Sequence, residues 1–313
     1  MAPRIDHLKD TLVEKVVALT RERLDAAAQV PAERLLRAYY ANVAPEDILR
    51  REPEALYGAV MALFAFARQR LPGTPKLRVY QPRPDEGGWD CEHSIVEIVN
   101  DDMPFLVDSV TSALQRLEIG VHLVVHPILP VTRDAQGRLI AIVEPDAAGA
   151  RLESLMHVEI DRQAAAATES LAGRLTGVLA DVRAAVEDWP MLRERLALVL
   201  AELDTPPPGL DDGEAAEARD FLHWLYDDHF TLLGVRDFQF GEVCADGSCS
   251  TRIDPSSGLG LLRDPALRVF DEGRDLAAMP PEVGAFLRRP NLLLLAKADR
   301  VSTVHRPVPM DIV

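Results

Sequence analysis

The stretch Ser94–Leu117, SIVEIVNDDMPFLVDSVTSALQRL, constrains this chain most, because it sets a strand, a charged turn and a helix in immediate succession. Ser94–Val99 is rich in β-branched residues, as a half-buried strand should be. Pro104 presets φ for a first helical turn and withholds a donor that would be orphaned there. Asp101 and Asp102 precede it, and either carboxylate suits the free N–H groups and the positive end of a helix dipole. Leu106, Val110, Ala113, Leu114 and Leu117 then recur at helical spacing, with Gly120 as the expected stop. The reading is a βα unit whose helix is capped by an aspartate.

Upstream of this unit the pattern is helical. Leu8, Leu12, Val16 and Leu19 share one helix face, widened by Val13, Val17 and Leu24. Pro31, Pro45 and Pro53 stand where new helices would begin, and Leu56, Val60, Leu63, Phe64 and Ala67 give the last of them an apolar face. Residues 1–75 therefore read as a helical arm. The charged run RERLDAAAQ within it reads as a solvated helix face.

Leu77–Gln81 reads as a strand and Pro82–Gly88 as a turn before the central unit. After it, Val121–Val131 predicts one long strand, Asp134–Gly137 a hairpin turn and Leu139–Glu144 the returning strand. Ser154–Asp161 alternates Leu155, His157 and Glu159 against Met156, Val158 and Ile160, a further strand. A helix follows from about Ala165 to Val186, stopped by Trp189–Pro190, and Met191–Leu203 predicts another. This order gives residues 76–203 an α+β fold: a sandwich of one antiparallel sheet with helices on one face.

Asp204–Gly213, DTPPPGLDDG, reads as a linker, since three consecutive prolines cannot continue a helix. Residues 214–313 then predict a second α+β domain. Its expected elements are a helix over Ala215–Asp228, a strand over Phe230–Phe240 and a hairpin from Asn291–Lys297 and Arg300–Arg306. The text ends at Val313 in extended apolar residues with no polar tail, which reads as an interior position of a longer polypeptide.

Composition narrows the function classes. The chain has 313 residues and 48% apolar content, enough for two cores. A net charge of −16 argues against nucleic-acid partners, which need clustered cations. Cys91, Cys244 and Cys249 form no CxxC pair, so neither a disulfide framework nor a thiolate zinc site is expected, and a reducing cytoplasmic setting fits. No stretch approaches the roughly 20 apolar residues that span a bilayer, and the N-terminus has charges where a signal peptide needs an apolar core.

Candidate chemistry is sparse. His122 and His126 are four apart, but on a strand that spacing is roughly 13 Å, too far for one metal ion. Asp227, Asp228 and His229 fit either a carboxylate–imidazole pair for acid–base work or a turn between helix and strand, and the position favours the turn. Trp224 beside them reads as packed between helix and strand. Gly258-Leu259-Gly260 lacks the rest of a dinucleotide fingerprint, and no cofactor or metal site is assigned.

The runs EIVNDDMPFLVDSV, Glu97–Val110, and FLHWLYDDHFTLLGVRDF, Phe221–Phe238, followed by HRPV at His305–Val308, closely resemble the N-terminal region of the large bacterial NAD-specific glutamate dehydrogenases. The resemblance implies ACT-like domains over residues 76–203 and 214–313 and a regulatory or oligomerising role. It implies that NAD binding and glutamate oxidation belong to a downstream catalytic domain, with no cofactor in this segment, and that the parent is a homo-oligomer. It also implies that the loop Asn100, Asp101, Asp102, Met103, Pro104 and Phe105 receives a small amino-acid effector or contacts a neighbouring domain. Phe105 stands where many effector-binding ACT domains carry glycine. A structural interaction module without effector is the alternative.

Overall fold

The computed structural model describes residues 5–205, 212–243, 249–264, 266–267 and 292–313. The chain divides into two compact units, Met1–Gly177 and Val178–Val313.

The first unit opens with α1 (Ile5–Arg23), α2 (Ala26–Ala41), α3 (Pro45–Ile48) and α4 (Pro53–Ala67). Pro45 and Pro53 occupy first helical positions as expected. Pro31 does not start a helix: α2 begins earlier, where the Asp25 carboxylate accepts from the Ala28 N–H at 2.9 Å, and Pro31 lies inside it. β1 (Lys76–Tyr80), α5 (Pro84–Gly87) and β2 (Ser94–Asp101) follow, then α6 (Leu106–Arg116). The unit continues with β3 (Val121–Val125), β4 (Ile128–Arg133), β5 (Leu139–Ile142) and β6 (Arg151–Ile160).

These six strands make one antiparallel sheet in the order β1-β2-β6-β4-β5, with β3 also paired to β6. The single strand expected over Val121–Val131 is two: β3 pairs with the C-terminal half of β6 and β4 with its N-terminal half. The break falls at His126–Pro127, and the missing proline N–H gives the physical reason. The Asp134–Gly137 turn forms as expected. Asp134 accepts from the Gln136 and Arg138 N–H groups, and Gly137 has φ 80°. A Cβ at Gly137 would overlap the Arg70 carbonyl, so both the turn and its packing demand glycine.

Both faces of β2 and β6 are buried. Val99, Val125, Leu129, Val131 and Leu155 share one core with Leu35, Tyr39, Leu56, Val60 and Leu63 of the arm. The alternate residues Val96, Ile98, Met156 and Val158 are buried on the other face, and α6, with Leu106, Val110 and Leu114 buried, lies against β3. The expected order of helical arm, antiparallel sheet and helix is present, and the arm adds a second helical layer to the sheet. The arm covers the face that a bare sandwich would leave open, because its apolar stripe and the sheet's have no other partner to exclude water.

α6 ends differently from expectation too. Its chain reversal uses Glu118 at φ 56° rather than Gly120, and the Ile119 N–H closes back on the Leu114 carbonyl at 3.0 Å. α7 (Ala165–Glu202) runs through Trp189–Pro190 without stopping. Pro190 only removes the one bond to the Val186 carbonyl, so the two helices expected there are one.

In the second unit α8 (Asp212–Trp224) places Ala218 and Leu222 in a core with Leu200, Leu203 and Leu225. A π-helical turn, Leu225–His229, follows. The strand expected over Phe230–Phe240 is instead β7 (Gly234–Val235) and β8 (Phe238–Val243). β9 (Cys249–Ile253), β10 (Leu259–Gly260), β11 (Ala296–Val301) and β12 (Pro309–Ile312) complete the described elements. They pair as three two-stranded ladders, β7 with β10, β8 with β9 and β11 with β12. The C-terminal hairpin thus returns at Pro309–Ile312 rather than Arg300–Arg306, with its first residue, Asn291, outside the described set. Most of the expected Asp204–Gly213 linker, Cys244, and residues 268–291 of the second expected ACT-like domain also lie outside the described residues.

Candidate functional site

The register of β2 on β6 sets Asp101 directly opposite Glu153. Two carboxylates in that position repel one another, and the structure answers with arginines. Arg70 donates to Asp101 Oδ1 at 2.7 Å and to Glu153 Oε1 at 2.6 Å. Arg133 holds both oxygens of Glu153 at 2.7 Å. The side chains of Arg70 and Glu153 are each 1% exposed, so all four charges belong to a network that only mutual pairing sustains. Burial works against the Arg70 charge, but Glu153 and Asp101 outweigh it and hold its pKa above the ordinary guanidinium value.

This geometry corrects the role first given to the aspartates. The N-cap of α6 is Phe105, which offers no side-chain capping bond. Asp101 Oδ2 instead accepts from the Gly73 N–H at 2.8 Å, and Asp102 enters the turn through its own N–H, which donates to the Leu152 carbonyl at 3.0 Å. Pro104 precedes the helix rather than starting it. Phe105 holds φ 71°, the left-handed region that glycine occupies freely and a phenylalanine occupies at a cost of about 1–2 kcal/mol. The glycine-like position inferred for Phe105 is thus present in its backbone. Asn100, at the end of β2, is buried opposite Ser154, and Met103 is half-buried.

A cavity of about 270 Å³ opens beside this network. Val131, Arg133, Asp134, Gly149, Arg151 and Glu153 line it, so Glu153 is at once a wall of the cavity and the partner of Arg70.

A second charged cluster lies under the arm. Glu97, His157 and Glu159 are fully buried on the sheet face that the arm covers. Arg78 and the Tyr80 hydroxyl donate to Glu97 at 2.7 and 2.9 Å, and Arg51, between α3 and α4, donates to Glu159 at 2.8 Å. The His157 ring lies 3.8 Å from Glu97 and 4.0 Å from Glu159. Burial raises the Glu159 pKa, but the Arg51 bond outweighs it and leaves that carboxyl below the ordinary range.

The other candidates separate. Asp228, at φ 61°, pairs with Arg193 at 2.6 Å, whereas His229 bonds the Trp224 carbonyl at 2.9 Å and stacks on its indole. Asp228 and His229 thus serve a turn and make no carboxylate–imidazole pair. Asp227, within the same π-helical turn, departs from helical backbone angles. Trp224 is 43% exposed, not packed between helix and strand as expected. His122 bonds Asp161 at 2.8 Å and stacks on His93, while His126 bonds Ser154. Burial lowers the His126 pKa against the opposing charge of Asp102. Among the described residues no group of three His, Cys, Asp or Glu side chains is placed to hold a metal, and no helix is long and apolar enough to cross a membrane.

Neither buried charge cluster was read from the sequence. The one available signal was the recurrence of Glu153, His157 and Glu159 in a strand otherwise buried and apolar, since such groups enter a core only with partners.

An antiparallel sheet flanked by α6 and closed by a helical layer, with a polar β2–α6 turn, defines an α+β domain of the ACT-like class. Residues 35–175 match the family model for the glutamate dehydrogenase ACT1 domain. That match begins inside α2, in agreement with the core shared by arm and sheet. The chain is 33% identical to the NAD-specific glutamate dehydrogenase of Halomonas elongata over 98% of its length and 19% of the relative's. It is 34% identical to the enzyme of the same name from Pseudomonas aeruginosa over 88% of its length, and 29% identical to that of Mycobacterium tuberculosis over 72%. The chain belongs to the NAD-specific glutamate dehydrogenase family, as part of its N-terminal region, and spans about a fifth of the length of the curated relatives it matches.

Proposed function

We propose that this chain is the regulatory and oligomerising segment of an NAD-specific glutamate dehydrogenase and carries no catalytic residue of the reaction. The parent polypeptide converts L-glutamate to 2-oxoglutarate and ammonia, with NAD as the oxidant held by a catalytic domain outside this segment, in the cytoplasm. The observation that carries the reading is the ACT1 match over residues 35–175, alongside relatives whose names give that enzyme. Asp101, Asp228 and His229 among the candidate residues serve ion pairs and a turn.

The loop Asn100–Phe105 serves in this reading as a contact for a neighbouring domain or subunit. Phe105 in place of glycine bars close approach of a ligand to the backbone, and Asp101 already binds Arg70 and Gly73. The experiment is sedimentation velocity together with steady-state turnover of the full-length enzyme carrying Met103→Ala or Pro104→Ala. Altered subunit assembly, with the glutamate KM unchanged, is the expected result. Unchanged assembly together with a changed glutamate KM would place the loop at the substrate site and defeat the reading.

A further inference from the structure

His157, within β6, is fully buried, and among the described residues neither of its ring nitrogens has a hydrogen-bond partner. Each lies within ion-pair range of a carboxylate instead. Nδ1 is 3.8 Å from Glu97 Oε1, on the residue directly opposite in β2, and Nε2 is 4.0 Å from Glu159 Oε1, two residues along β6. A neutral imidazole carries a proton on one nitrogen and a lone pair on the other, so either tautomer would set a lone pair against a buried carboxylate. An imidazolium donates from both nitrogens and meets a negative oxygen on each side.

The surrounding charges favour that form. The side chains of Glu97 and Glu159 are at most 1% exposed, whereas those of the arginines that hold them, Arg78 and Arg51, are 37% and 32% exposed. Water therefore screens the two cations more than the two anions, and the potential at the ring is negative. His93, half-buried beside the start of β2, adds a smaller positive influence on Glu159. The other groups add no charge: burial pushes the Tyr39, Tyr40 and Tyr80 hydroxyls and the Cys91 thiol up, so all four stay neutral at physiological pH. The Tyr39 and Trp89 rings flank the imidazole at 5.6 and 6.2 Å. We propose that His157 is an imidazolium in the folded protein and that its proton latches the arm to the sheet, so that raising the pH loosens the arm. The latch joins the two layers, since Tyr39 and Arg51 belong to the arm while Glu97 and Glu159 belong to β2 and β6. An unfolded histidine releases its proton above about pH 6.5. The stability contributed by the proton is therefore complete below about pH 6.5 and is lost as pH rises through the value at which the folded ring releases it. The latch is a property of this chain's own fold and stands apart from the regulatory reading.

Nitrogen-15 NMR of this chain with labelled histidine reads the ring directly, because the two nitrogens of an imidazolium resonate close together and those of a neutral ring far apart. His157 is the one fully buried histidine among the described residues, so its signals are those that a soluble paramagnetic agent leaves sharp, and the assignment needs no variant. The expected result is an imidazolium pattern for His157 at about pH 7.5, where an ordinary histidine is mostly neutral. Amide hydrogen exchange, corrected for its intrinsic rise with pH, gives the second measure. Amides of α2–α4 should lose protection several-fold between about pH 6 and about pH 9, and His157→Gln should abolish most of that dependence. A neutral His157 ring at about pH 7.5 overturns the proposal. So does a loss of protection with pH that is the same in His157→Gln as in the wild type.

Discussion

Asp101 and Glu153 stand directly opposite each other on neighbouring strands, and one guanidinium nitrogen of Arg70 bonds both, at 2.7 and 2.6 Å. That arrangement makes Arg70, far from the βα turn in sequence, the residue on which the turn depends.

Replacing Arg70 with methionine removes the shared cation and leaves Glu153 buried with only Arg133 to balance it. Breaking one partner out of a buried ion network costs about 3–5 kcal/mol. Chemical denaturation of the chain should show a loss of that order for Arg70→Met, and Asp101→Asn on the same background, which removes one of the two carboxylates that Arg70 held and keeps the Arg133–Glu153 pair, should recover part of it. Independent, additive losses would show that the two residues are not coupled.

Phe105 offers a test of backbone strain. Where φ is negative, glycine is normally less stable than alanine, but at φ 71° the order should reverse. Phe105→Ala keeps the strain and loses the ring's packing, whereas Phe105→Gly loses the packing and releases the strain. The glycine variant should therefore be more stable than the alanine variant by about 1 kcal/mol. Equal melting temperatures would deny that strain.

Glu159 ties the arm to the sheet through Arg51, and this sets a pH dependence. Its folded pKa lies below its unfolded one, so the unfolded state binds the proton more readily. The stability it contributes is in full above the unfolded value of about 4.3 and falls away as pH drops through the folded value. Glu159→Gln should be less stable than the parent by about 3 kcal/mol at neutral pH, with the gap closing below about pH 4. A gap that stays constant down to acid pH would mean the ion pair contributes nothing to docking of the arm.

The sequence made the local architecture legible and the long-range chemistry much less so. Strand, turn and helix over Ser94–Leu117 were readable because β-branched alternation and helical spacing are local signals, and the structure places β2 and α6 there. The Asp134–Gly137 turn was readable for the same reason. Aspartates before an apolar helix look like caps in sequence, yet Asp101 is drawn to Arg70, 31 residues away, which no local pattern shows. Phe105 gives no sign of its left-handed backbone, since only glycine or asparagine would advertise it. Pro127 did carry the signal that splits β3 from β4, and the long apolar run around it hid that signal. The cavity was illegible because its walls come from three separate stretches, Pro72, Val131–Ala135 and Gly149–Glu153.

Glutamate-dependent NADH formation, measured side by side for this chain alone and for the full-length polypeptide, tests the central claim most directly. In the proposed reading NAD belongs to a catalytic domain outside this chain, so the chain alone is expected neither to bind NAD nor to reduce it. The expected result is turnover by the full-length enzyme and none by this chain at any NAD concentration. NADH formation by the chain alone, rising with glutamate, would contradict the account.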